Sequence, residues 1–278
     1  MIAGTAATVS DLVRDLRTLG VRPGEALMIH ASLRAIGPVE GGANGVLDAL
    51  DEAVGPDGTL LMILGAVVDH EWVNARPEEE RAALLEGVPP YDPETALPLP
   101  EVGYLAEAFR TRSGTRVNDN PSGRFAARGA AVDALFRDAP WDHYYGPDSP
   151  LDRLCRMGGR VLRMGANPDT TTVLHYAEYL ADVPNKRWIV RHYRVRGPDG
   201  LALTRTVTCL DDEDGIVEWD GEDEFALILE AYRATGRART GLVGRAESEL
   251  IDAGDIVAFG ADWMTRNLEP VGASQAQS

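Results

Sequence analysis

Two short, almost unbroken apolar runs bracket a helical segment near the start of the chain: Glu25–His30 (EALMIH) and Thr59–Leu64 (TLLMIL). Runs of this length with no wet alternation read as buried strands. Gly41-Gly42 breaks the chain after the first run, and a helix is predicted over Gly45–Val54. Gly55-Pro56-Asp57-Gly58 is a strong turn before the second run. Strand, helix, strand in this rhythm needs a crossover connection, so the chain is read as α/β with parallel pairing.

The pattern continues on both sides. Ser10 can cap a helix through about Leu19, with Val13, Leu16 and Leu19 on its apolar side. Gly159–Gly165 (GRVLRMG) reads as a third buried strand. Helices are expected at Tyr104–Arg112, Ala130–Arg137, Leu151–Met157 and Phe225–Thr235, and Val117–Ser122 as irregular chain. Lys186–Arg196 and Leu201–Leu210 are strand-rich. Ile251–Phe259 reads as a helical turn followed by a strand or second helix, and Trp263–Leu268 closes the fold. Val67–Pro100 differs from all of these: rich in Pro and Glu, it has the character of a functional loop or lid with short helices.

The 278 residues carry 44 acids against 27 bases, a formal charge of −17. That excess argues against nucleic-acid or anionic-membrane binding, which need a basic surface. It fits a cationic partner, although solubility alone also explains it. Cys155 and Cys209 lie in no CxxC or nucleophile motif, and a reducing cytoplasm is expected. No signal peptide is read at the N-terminus, and no apolar run approaches a membrane span of about 20 residues.

The residues that carry chemistry gather in Thr170–Glu178 (TTTVLHYAE). A run of threonines suits a helix start, which places His175 in the second turn. Glu178 follows at i+3, on nearly the same face. An imidazole beside a carboxylate can act as a general base; on ordinary helices such a pair is more often a structural contact. His30-Ala31-Ser32-Leu33-Arg34-Ala35-Ile36-Gly37 follows the first strand, where ligand sites of open α/β sheets gather. Ser32 and backbone N–H groups there can meet phosphate or pantetheine oxygens, and Arg34 a phosphate.

Several segments, in order, resemble the aminoglycoside 3-N-acetyltransferase family. They are DLVRDLRTLGVRPGE, HASLRAIGPVEGG, LDALDEAVGPDGTL, YGPDSPLDRL, TTTVLHYAEYLADV and GLVGRAESELIDAGDIVAFGADW, spanning about Asp11 to Leu268. The resemblance implies one α/β domain over residues 1–270, with a central mostly parallel or mixed sheet flanked by helices plus a smaller lobe or lid. A disordered tail over 271–278 follows. It implies acetyl-CoA as donor, the 3-amine of a deoxystreptamine aminoglycoside as acceptor, and antibiotic resistance as the outcome. No metal is expected. The assembly is expected to be a monomer or homodimer.

Residue by residue, the resemblance and the chemistry together assign His175 as base, Glu178 as its orienting partner, and His30 as a group near the reacting centre or an ordering residue of the loop. Coenzyme A is expected on His30, Ala31, Ser32, Leu33, Arg34, Gly37 and Ser149, a structural turn being the alternative at Ser149. A polycationic, hydroxyl-rich acceptor calls for carboxylates and aromatic faces. The candidates are Asp69, Trp72, Glu101, Tyr145, Asp212 and Glu213. A solvated acidic loop is the plain alternative for Asp211–Asp214. Relatives often carry Ser-x-His-Pro where this chain has Asn118-Asp119-Asn120-Pro121, so Asn120 cannot exchange a proton there. Other readings are an acetyl-CoA-dependent enzyme for a different amine, a metal hydrolase using His30, Asp69, His70 and His175, and a protein that sequesters cationic drugs. The hydrolase lacks compact ligand spacing.

Overall fold

The computed structural model describes residues 5–68, 71–197 and 199–268. Helix α1 (Val9–Leu19) leads to β1 (Ala26–Ala31), the one-turn α2 (Leu33–Ile36), α3 (Ala43–Val54) and β2 (Thr59–Ile63). The cap of α1 is Thr8 rather than Ser10. Thr8 accepts from the Asp11 N–H at 3.1 Å, and Asp11 accepts from the Thr8 N–H at 3.0 Å. An acid three residues on completes this reciprocal box, and Ser10 has none at that spacing. Strands β1 and β2 pair in parallel, Ala26 opposite Thr59. Their alternate side chains enter two cores: Leu27, Ile29, Leu60 and Met62 on one face, Met28 and Leu61 on the other.

Next come α4 (Glu78–Leu85), α5 (Tyr104–Arg110), β3 (Arg116–Val117), β4 (Phe125–Gly129), α6 (Val132–Phe136), α7 (Pro150–Arg156) and β5 (Arg160–Met164). They are followed by α8 (Leu174–Leu180), β6 (Trp188–Arg196), β7 (Ala202–Leu210), α9 (Glu224–Ala234), β8 (Arg239–Val243), β9 (Ala246–Asp252) and α10 (Ala253–Asn267). Seven strands form one sheet in the order β3-β4-β2-β1-β5-β9-β8. Parallel pairing links β2, β1 and β5; every other pairing in the sheet, β2–β4, β3–β4, β5–β9 and β8–β9, is antiparallel. The sheet is therefore mixed, with helices on both sides.

Several strands differ from expectation, β3 and β8 among them, which no sequence signal marked. Strand β4 stands where the sequence offered no strand signal, since Phe125-Ala126-Ala127 is too short a run to separate from a helix. Ile251 and Asp252, read as a helical turn, instead end β9, and the helix starts at Ala253. Gly244, with φ of +60°, turns β8 into β9, and a Cβ there would lie 2.7 Å from the Ile36 carbonyl oxygen.

Strands β6 and β7 form a separate antiparallel hairpin, Trp188 opposite Leu210. The Pro-rich segment docks on its β6 edge. Arg81 donates to the Val190 carbonyl at 2.9 Å, the His192 N–H to Asn74 at 2.7 Å, and the Tyr91 N–H to the Arg194 carbonyl at 2.7 Å. Behind it the fully buried Arg124 donates to the carbonyls of Gly65, Pro93 and Ala96 at 3.0, 2.7 and 2.8 Å. Hairpin and Pro-rich segment together are the smaller lobe. The tail 271–278 lies outside the described residues.

Candidate active site

Residues 165–173 carry the chain from the end of β5 into α8, and Arg163 shapes that path. It is 1% exposed, pairs with Glu249 of β9 at 2.9 Å, and donates to the carbonyls of Ala166 and Asn167 at 3.0 and 2.7 Å. It also contacts the Thr171 hydroxyl. The threonines consequently do not cap α8. Thr171 serves Arg163 and the Pro168 carbonyl, and Thr170 donates to the Asn167 carbonyl at 2.7 Å. The helix opens at Val173 without a side-chain cap, so His175 stands in its first turn, not its second.

His175 Nδ1 lies 2.8 Å from Glu178 Oε2. The ring stacks flat on Tyr145, centroids 4.8 Å apart with 10° between planes, and meets the edge of Phe225 at 4.8 Å. Glu178 is 2% exposed. Burial alone would push the imidazole toward its neutral form. The Glu178 charge and hydrogen bond, with Asp212 and Glu224 beyond, outweigh it and hold the pKa above the ordinary histidine value. With Nδ1 occupied, Nε2 is the ring nitrogen left to exchange a proton.

The imidazole lines a cleft of about 330 Å³. Asp169, Glu178, Asp212, Glu213, Asp214, Asp223 and Glu224 supply its carboxylates, and Ile216, Val217, Trp219, Phe225 and Leu268 its apolar wall. The acidic turn after β7 is built, not merely solvated. Buried Asp211 accepts from the N–H groups of Glu213 and Asp214 at 3.2 and 3.1 Å. Asp212 meets the buried Arg191 at 2.9 Å and accepts from the Tyr144 hydroxyl at 3.0 Å.

The other residues singled out in the sequence are dispersed. Tyr145 is buried behind His175 rather than lining the cleft. Glu213 lines the cleft and also meets Arg191, at 2.8 Å. Trp72 is half-exposed under Arg76, and Glu101 is exposed in a short 3-10 turn, Pro100–Val102; neither lines the cleft. Asp69 lies outside the described residues. Ser149 is buried and caps α7, accepting from the Asp152 N–H at 3.3 Å.

At the end of β1, Ser32 caps α2, its side chain accepting from the Ala35 N–H at 3.3 Å. Ala31 and Leu33 flank it half-buried, Arg34 is exposed, and Gly37 ends the turn. His30 is buried at the foot of this turn, with no hydrogen-bond partner for Nε2 among the described residues. Burial, helped by the Arg163 charge, lowers its pKa to about 3. Asn120 is buried and spent on its own loop. Its oxygen accepts from the N–H groups of Ser122 and Gly123 at 3.0 and 2.9 Å, and its amide donates to the Trp141 carbonyl at 3.1 Å.

Sequence reasoning passed over Asp169, Arg191, Tyr144, Phe225 and Glu224. Only the acid pair Asp223-Glu224 before a helical run carried a local signal, that of a helix start; Asp223 does cap α9. No group of three or more His, Cys, Asp or Glu among the described residues could hold a metal ion.

The sequence profile of the aminoglycoside 3-N-acetyltransferase family matches residues 28–265. Aminoglycoside N(3)-acetyltransferase VII of Streptomyces paromomycinus is 39% identical over 94% of this chain and 92% of its own length. The corresponding type III enzyme of Serratia marcescens is 38% identical over 94% and 98%. Aminoglycoside acetyltransferase AAC(3)-Xa superposes with a TM-score of 0.89 at 38% identity, covering 96% of this chain and 95% of that one. AAC-IIIb, solved as a binary complex with CoASH, gives 0.88 at 38% over 94% and 97%. By sequence and by fold, this chain belongs to the aminoglycoside 3-N-acetyltransferase family, acetyl-CoA-dependent enzymes.

Proposed function

We propose that this enzyme moves an acetyl group from acetyl-CoA to the 3-amine of the deoxystreptamine ring of an aminoglycoside, with His175 as general base. We infer further that it works in the cytoplasm as a monomer or homodimer and confers resistance. The observation that carries the reading is the His175–Glu178 pair at 2.8 Å, clamped between Tyr145 and Phe225 at the wall of a carboxylate-lined cleft. Carboxylates suit a polycation. An amine is mostly protonated near neutral pH and must lose a proton before its lone pair can attack. Neutral His175 takes that proton at Nε2, directly or through one water, and Glu178 stabilises the resulting imidazolium.

Acetyl-CoA supplies an activated thioester, so no acyl-enzyme is needed and the remaining task is alignment. The turn at the end of β1 fits the donor. It offers exposed Arg34, the Ser32 side chain and backbone, and, at its foot, the orphaned Nε2 of His30.

The test is thiol release from acetyl-CoA with gentamicin, sisomicin, tobramycin, kanamycin, neomycin and apramycin, with mass spectrometry of the products. The expected result is drug-dependent release with one acetyl on the 3-amine, and a raised inhibitory concentration in a susceptible host expressing the gene. Release with another amine but with none of the drugs would transfer the reading to a different acceptor.

A further inference from the structure

Beneath the acidic wall of the cleft lies a charged side chain with no part in the chemistry above. Arg191 projects from β6, the strand of the small lobe, and is 6% exposed. One terminal nitrogen, Nη2, lies 2.9 Å from Asp212 Oδ1 and 2.8 Å from Glu213 Oε1. The other, Nη1, donates to the Tyr144 hydroxyl at 2.7 Å. That hydroxyl donates in turn to Asp212 Oδ2 at 3.0 Å. The Tyr144 ring meets Tyr145 edge-on at 4.7 Å, and Tyr145 is the plate on which His175 stacks. Two arms leave Arg191 and converge on the imidazole, one electrostatic through Asp212 and one steric through the tyrosine pair.

Resting on the acetyltransferase reading above, we propose that Arg191 is a positioning residue. With the Tyr144 hydroxyl it fixes the Asp212 carboxylate opposite His175, so that Asp212 serves as a set counter-charge to the imidazolium rather than as a free anchor for a drug ammonium. Asp212 Oδ2 accepts the Tyr144 hydrogen bond, and Oδ1 stands in ion-pair contact with Arg191. The planar fork of a guanidinium spans Asp212 and Tyr144 at once, which a lysine ammonium on a flexible stem would not do. Glu178 on the histidine's own helix, Asp212 from the turn after β7 and Glu224 from α9 act on this ring, Asp169, Glu213, Asp214 and Asp223 line the same cleft, and Tyr145 lies behind it.

The first readout is the NMR titration of the His175 ring in the resting enzyme, which needs no turnover and so stands apart from the choice of acceptor. Asp212→Asn removes a negative charge and is expected to move the midpoint down. Arg191→Gln exposes that charge and is expected to move it up. Shifts in the same direction, or none, in folded protein would overturn the proposal. Because Arg191→Gln can fail to fold, Tyr144→Phe, which keeps the ring and loses only the hydroxyl, provides a second arm. It is expected to cost roughly tenfold in kcat/KM for sisomicin, the scale of a lost hydrogen bond to a charge, with KM for acetyl-CoA unchanged. In an Asp212→Ala background the same change is expected to cost under about twofold, because the acceptor of the Tyr144 hydroxyl is gone. An equal cost in both backgrounds would refute the linkage. Absence of sisomicin turnover in the wild type would instead sink the acceptor assignment, and the titration would still decide the role of Arg191.

Discussion

At the scale of the residue, His175 is distinguished by how completely its ring is held. His175→Ala is expected to lower kcat by about 10²–10⁴-fold while acetyl-CoA still binds and the fold survives; near-normal turnover by a folded variant would remove it from the chemistry. Its raised pKa sets the sign of the pH dependence. The ring is a base only when neutral, so activity should climb as pH rises through a value above the ordinary 6.5. Glu178→Gln deletes the charge that raises it, so the acidic limb of the rate profile should slide to lower pH and the plateau should fall; a limb that stays in place would mean Glu178 does not tune the ring. His30 titrates the other way. Its folded pKa of about 3 lies far below its unfolded value, so the unfolded chain takes up a proton that the folded chain refuses. Stability is full above pH ~6.5 and falls toward pH ~3, by at most about 1.4 kcal/mol per unit from this one group. His30→Asn should flatten that acid decline in a series of melting curves, and an unchanged slope would contradict the account. The His175–Glu178 contact was legible because i,i+3 geometry is local. The stacking of Tyr145 on that ring and the contacts of Arg191 with Tyr144 and Asp212 were not, because only the packing of distant segments makes them.

At the scale of the element, two buried arginines replace regular structure with carbonyl anchoring. Arg163 shapes the approach to α8, and Arg124 ties the Pro-rich segment to the sheet. Neither was visible in sequence, since an arginine in or beside a strand looks like a surface residue until its neighbours are known. Arg124→Met would take this donor from the carbonyls of Gly65, Pro93, Ala96 and Leu97. It is expected to cost about 3 kcal/mol and to open residues 67–100 to limited proteolysis before the rest of the chain. Cleavage at the wild-type rate would show that the segment is held by other means. The central strands were readable because burial on both faces leaves an unbroken apolar run. Strand β9 was not, because Glu249 hides a buried side chain under a charged letter: it is 9% exposed and paired with Arg163 and Arg233.

At the scale of the molecule, a charge of −17 and a carboxylate-lined cleft act together on a polycation approaching from solvent. Between about 0.05 and 0.5 M salt the screening length falls from roughly 14 to 4 Å. kcat/KM for the drug should fall severalfold over that range, while the anionic donor loses nothing to screening and its KM holds or improves. Equal salt sensitivity for the two substrates would argue against electrostatic capture. The order of strands in the large sheet has a consequence for synthesis. β5 leads directly to α8, which carries His175, yet its outer neighbour β9 is the last strand of the described chain. A ribosome that has already delivered His175, the small lobe and the acidic turn still holds back the ladder that seats Arg163 against Glu249. Until those residues emerge, the nascent chain carries the His175–Glu178 pair on a sheet with an open seam. A frameshift or stop codon before β9 should therefore yield an aggregating fragment rather than a sluggish enzyme.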